Sequence, residues 1–144
     1  MLFQDRKVIG FTGRRDGMTV EQSARVYALL RLYSQSGVVV VLHGDAIGAD
    51  AEFDMLAAML GIKRMCRPCT YESQRAFTEA QVIAEPTNPM ARNRAIVADA
   101  DAMIGAPPTD FEVERSGTWA TLRYMRKASK PYYVIKSDGG FLDW

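Results

Sequence analysis

The chain has 144 residues, 48% of them hydrophobic and 24% charged, and its eighteen Lys and Arg against seventeen Asp and Glu leave a formal charge of +1. That length and balance suit one packed domain over residues 1–144 and exclude a disordered chain, while the near-neutral charge excludes the global basic field that draws a protein onto duplex DNA. The opening MLFQDRKVIG puts charges where a signal peptide needs an apolar run, and no stretch approaches the roughly 20 apolar residues that span a bilayer, so a cytoplasmic protein with no membrane contact is expected.

Residues 7–12 form a short apolar run closed by Gly13, which predicts a buried strand. Thr19 with Gln22 three residues later makes a capping box, and Val20, Ala24, Tyr27 and Leu30 recur at helical spacing, so a helix is predicted over 20–34. Ser36 and Gly37 stop it. Residues 38–42 begin with four consecutive valines, stiff at χ1 and suited to a strand covered on both faces. Asp50 is expected to cap the next helix, whose Phe53, Leu56, Ala57 and Leu60 form one stripe before Gly61, and residues 62–66 then predict a third strand. The polar span 67–88 is long for a connection in a compact domain, with a short helix allowed over 72–81. Asn88 before Pro89 reads as an N-cap followed by proline at the first helical position, which places a helix over 90–98. A strand over 102–106, a helix opening at Ser116-Gly117-Thr118 and ending near Ser129, and a last strand over 131–135 complete the series.

Alternating strands and helices predict an α/β fold: a Rossmann-like open, mostly parallel sheet of five strands with helices on both faces. Cys66 and Cys69, spaced Cys-Arg-Pro-Cys, lack the further cysteine pair that a structural zinc requires, and Pro68 spoils the helix entrance of a redox motif. Both are read as reduced thiols. No metal or cofactor is called for.

In such a sheet, ligands bind beyond the carboxyl ends of the strands. Three loops of one character fall there. Thr12-Gly13-Arg14-Arg15 follows the first strand, His43-Gly44-Asp45 with Gly48 and Asp50 follows the second, and Ser116-Gly117-Thr118 opens the last helix. Glycines permit close backbone approach, and a helix N-terminus offers free N–H groups to an anion. Arg14, Arg92 and Arg94 are the candidate phosphate neutralisers, Asn93 a ligand contact or a solubilising residue, and Asp45 or Asp50 the acceptors of sugar hydroxyls. For His43 a hydrogen-bonded strand-end histidine outweighs a catalytic base, and Trp119 reads as core or interface rather than a stacking platform.

The set "VIGFTGRR", "LHGDAIGADAEF", "ARNRAIVADADAMIGAP" and "RSGTWATLRYMRKASKPYYVI" resembles the SLOG superfamily of Rossmann-like nucleotide-binding domains, over residues 8–135 and nearest to its small bacterial and phage members. The resemblance implies glycine loops that cradle phosphate and ribose. It also implies kinship with the LOG phosphoribohydrolases and the nucleoside deoxyribosyltransferases. The enzyme branches carry P-G-G-x-G-T-x-x-E at the last helix; here Gly117-Thr118 is kept, Glu114-Arg115 replaces the glycine pair and Thr121 stands in the place of the glutamate. A threonine stabilises a cationic sugar poorly. The expectation is therefore a binding or sensing module for a nucleotide or nucleotide-derived small molecule, with a homodimer as its candidate assembly. A nucleotide N-glycosidase using Asp45 or Glu114 is the alternative. A protein-docking module with a vestigial pocket, suggested by the exposed-looking tail 139–144, is the third reading.

Overall fold

The computed structural model describes residues 7–37 and 40–144. Along the chain run β1 (Val8–Gly13), α1 (Val20–Ser34), β2 (Val40–His43), α2 (Ala49–Met59), β3 (Lys63–Cys66), β4 (Val82–Ile83), α3 (Pro89–Asp99), β5 (Ala102–Ala106), α4 (Gly117–Lys127), β6 (Tyr132–Ile135) and β7 (Phe141–Leu142). Val38 and Val39, within the second predicted strand, lie outside the described residues. The sheet is ordered β4-β3-β2-β1-β5-β6-β7, parallel throughout except for the antiparallel β6–β7 pair.

The α/β expectation holds, with seven strands in place of five. The two extra strands, β4 and β7, are two-residue edges. Neither has an apolar period of its own; each exists because a neighbouring strand offers it hydrogen bonds. The helix allowed over 72–81 is reduced to a 3₁₀ turn at Glu72–Gln74, because the rest of that stretch hydrogen-bonds to the loop after β2 instead of to itself.

Alternate residues of the central strands feed opposite faces. Ile9, Phe11, Val41 and Ile104 pack under α1 and α2 with Val26, Leu30 and Phe53, and the Phe11 and Phe53 rings stack at 4.3 Å. Leu42 and Met103 face α3 and α4, meeting Ile96, Val97 and Met125. Burial on both faces is why β2 and β5 read as unbroken aliphatic runs. Trp119 is fully buried beside Leu122 and Val134, as its reading as core required.

Caps close the helices where local sequence announced them. Thr19 accepts from the Gln22 N–H while Gln22 reaches back to the Thr19 N–H; Asn88 accepts from Ala91 and Ser116 from Trp119. At α2 the expectation fails. Gly48 is the N-cap and makes no side-chain cap bond, while Asp50 sits inside the first turn with its carboxylate directed back to the preceding loop. The tail is not free either: β7 joins the sheet and Trp144 packs on Trp119 and Tyr132.

Candidate functional site

Strand order reverses across the β1–β5 pair, so the loops leaving these two strands part to opposite sides and leave a crevice between them. A cleft of about 580 Å³ opens there. Its wall includes Thr12, Gly13 and Arg14 after β1, Gly44 and Asp50 from the loop after β2, Arg92 and Asn93 on α3, and Ser116, Gly117 and Thr118 at the start of α4. His43, Asp45 and Gly48 are not part of that wall. Arg15, from the same predicted loop as Arg14, also lines the wall, as do Asp16 and Arg115, whose residue types gave no signal beyond charge near a glycine.

The three residues that stay behind the wall shape it. Asp45 adopts φ 56 and is fully buried; its Oδ2 accepts from Arg75 Nε at 2.9 Å and its Oδ1 from the Thr78 N–H and hydroxyl, both at 2.8 Å. Both carboxylate oxygens are therefore occupied by residues of the 67–88 span. Beneath it, His43 Nδ1 lies 2.9 Å from the Asp45 backbone nitrogen and Nε2 lies 2.8 Å from Asp54 Oδ1. A backbone N–H only donates, so Nδ1 accepts and the ring proton sits on Nε2, facing Asp54. Arg64 closes the chain on the other Asp54 oxygen at 2.6 Å. Burial pushes the Asp54 carboxyl up, but His43 and Arg64 together bring it below the ordinary range. Gly48 has φ 88, and a Cβ there would lie 2.2 Å from the Arg15 carbonyl oxygen. Only glycine lets the β2 loop seat against the β1 loop.

Within the cleft, Asp50 is buried. Its Oδ2 accepts from the N–H groups of Gly44 and Ala46 at 3.0 and 3.1 Å, while Oδ1 has no partner among the described residues. Burial raises its carboxyl above the usual range, against the pull of the nearby Arg92 guanidinium. Arg92, also buried, donates to the Gly44 carbonyl and to Asn93 Oδ1. Arg14 forks onto Asp16 at 2.8 and 2.9 Å; this pairing raises the arginine and lowers the carboxyl, so both stay charged. Arg94 is turned away from the cleft and lies over the Tyr124 ring.

The start of α4 is the most open part. Ser116 Oγ is committed to the Trp119 N–H, which leaves the Gly117 and Thr118 N–H groups without partners among the described residues. A Cβ on Gly117 would meet nothing within 4 Å, whereas one on Gly13 would strike Ala49 at 2.6 Å. Gly117 thus leaves open space, whereas at Gly13 the missing Cβ lets Ala49 pack close. Thr118 is 6% exposed, and its hydroxyl has no partner among the described residues. Thr121 spends its hydroxyl on the Gly117 carbonyl. Glu114 is exposed and does not line the cleft.

No protein-family profile matches the chain, and no curated protein matches it in sequence. Solved structures do match in shape. The molybdenum cofactor binding protein of Rippkaea orientalis superposes with a TM-score of 0.72 at 18% identity, over 91% of this chain and 77% of that one. The molybdenum cofactor carrier protein of Chlamydomonas reinhardtii gives 0.65 at 17%, over 90% and 76%. DNA processing protein A of Streptococcus pneumoniae gives 0.71 at 16%, over 92% of this chain and 51% of that protein, so the present chain spans about half of it. The chain shares their fold. At such identities that shared Rossmann-like fold is the whole of the likeness. No helix among the described residues is long and apolar enough to cross a membrane.

Proposed function

We propose that the chain is a SLOG-type binding module whose cleft holds a nucleotide or nucleotide-derived small molecule, with its anionic group at the start of α4. The observation that carries the reading is the Thr118 hydroxyl, which opens on the cleft from an otherwise buried residue and has no partner among the described residues, beside two uncommitted N–H groups of an eleven-residue helix. An oxyanion would accept from this hydroxyl and from the helix end together. Arg115, which has no ion-pair partner among the described residues, adds positive charge on the same wall. The free oxygen of Asp50 is placed to accept from a hydroxyl or N–H elsewhere on the ligand. A cleft of about 580 Å³ has the capacity of a small-molecule site. Two proteins of the same fold are named for binding or carrying the molybdenum cofactor, which supports small-molecule binding by this fold here.

Glycosidic cleavage needs a carboxylate against the sugar; Asp45 and Glu114 lie off the cleft wall, and Asp50, which lines it, has Oδ2 tied to the Gly44 and Ala46 N–H groups and its charged form disfavoured by burial. We therefore expect binding without release of free base, as chromatography after incubation with nucleoside monophosphates would read. Calorimetry against nucleoside monophosphates, diphosphates and cyclic nucleotides tests the binding itself. Thr118→Val removes one hydroxyl at constant shape, and should weaken the best ligand about tenfold, the worth of one hydrogen bond to a charged group, with the denaturation midpoint unchanged. Absence of heat with every nucleotide would overturn the proposal.

A further inference from the structure

Arg14 reaches into the cleft, yet its guanidinium is already engaged. Nε and Nη2 each meet one oxygen of Asp16, the fork-on-fork geometry that a phosphate or carboxylate ligand would use on the same group. The two side chains differ in depth: Arg14 is 16% exposed and Asp16 is 67% exposed, so the cation belongs to the cleft and its counter-ion to the mouth. The backbone around them is held in place. Arg14 donates its N–H to the Ala106 carbonyl and accepts from Gly17 and Ala49, while the Met18 N–H is bound to Glu52. Asp16 could thus leave by a change of rotamer alone, into water. Arg92 is held differently: Nη1 donates to the Gly44 carbonyl, a backbone acceptor that cannot leave by a rotamer change alone, and Nε donates to Asn93 Oδ1.

We propose that Asp16 is an internal competitor for the ligand's anionic group: it occupies Arg14 until an oxyanion displaces it, and so sets how strong an anion the cleft accepts. The inference rests on the binding reading above and names the residue that tunes it. Displacement is cheap on the Asp16 side, because an exposed ion pair is worth little, whereas Arg14, screened by the cleft, gains from any anion that replaces it.

The test is a double-mutant cycle read by calorimetry, with wild type, Asp16→Asn, Arg14→Gln and the double variant. Each is titrated with a nucleoside monophosphate, the matching uncharged nucleoside and inorganic phosphate. Asp16→Asn should bind the two phosphate probes roughly two- to fivefold more tightly, the factor to which an exposed ion pair converts, and leave the nucleoside unchanged. In the Arg14→Gln background that gain should vanish. A gain that persists without Arg14 would mean that Asp16 acts only as a distant like charge, and the proposal falls. Unchanged or weaker phosphate binding in Asp16→Asn overturns it too, while wild-type binding leaves the broader reading intact. No heat from either protein with any probe would remove both.

Discussion

Asp50 and Asp54 lie one helical turn apart, and the fold treats them in opposite ways. Asp54 is held as an anion by His43 and Arg64, whereas Asp50 is buried with two backbone donors on one oxygen and no partner among the described residues on the other. Because burial raises the Asp50 carboxyl, the folded protein keeps that proton at a pH where the unfolded chain has released it. The native state then binds more protons, and the contribution of Asp50 to stability falls as pH rises above the ordinary aspartate range near 4. In Asp50→Asn the amide oxygen can accept from the same two N–H groups and nothing titrates. Urea midpoints of the two proteins should therefore coincide most closely at acid pH, with the wild type falling behind as pH rises towards neutrality. The reverse trend would mean that the carboxylate is stabilised as an anion. A carboxyl whose burial disfavours its charge, with one oxygen turned to a cleft, is a feature of binding sites more than of packed cores.

At the scale of elements, α3 ends on a device that its own sequence does not contain. Lys130, just before β6, places Nζ 2.7, 3.0 and 2.8 Å from the carbonyls of Val97, Ala98 and Ala100. The last turn of α3 thereby gains three acceptors' worth of satisfaction and a cation on its dipole. Lys130→Met should cost about 2 kcal/mol in urea denaturation. Hydrogen exchange should quicken at the end of α3, while Arg92 and Asn93, two turns earlier, keep ligand affinity unchanged. The same contrast explains which elements were legible. Thr19 with Gln22, Asn88 with Pro89, and Ser116 with Trp119 act within three residues, so pattern alone located the helix starts. Lys130, the β4 and β7 edges, and the Arg75–Asp45 clamp act across the fold, and no local period records them. Asp50 illustrates the limit. Its place before an apolar stripe suited a cap, but the left-handed backbone of Asp45 curls the loop so that the carboxylate meets Gly44 and Ala46 first. Asp16 and Arg115 went unread for another reason: charge beside a glycine looks the same on any solvated surface.

For the whole molecule, the tail decides how firmly one wall of the cleft is held. β7 pairs Leu142 with Val134 and Phe141 with Ile135, and the Trp144 ring then lies 5.2 Å from Trp119 and 5.4 Å from Tyr132. The Arg126 guanidinium sits 3.3 Å above it, and the indole N–H donates to Glu112. Trp119 is in the first turn of α4, so the tail packs behind the helix whose N-terminus carries Gly117 and Thr118. Deleting residues 141–144 removes an aromatic cover from a fully buried tryptophan and unpairs a sheet edge. We expect a loss of about 3 kcal/mol in denaturant unfolding, in the range of losing a large packed aromatic, together with a red shift of the Trp119 emission as water reaches it. Ligand affinity should fall with stability, because α4 loses its backing on the side away from the cleft. An unchanged midpoint, with Trp119 emission no redder than in Trp144→Phe, would mean that the tail is dispensable for the fold and would return it to the role of a docking segment.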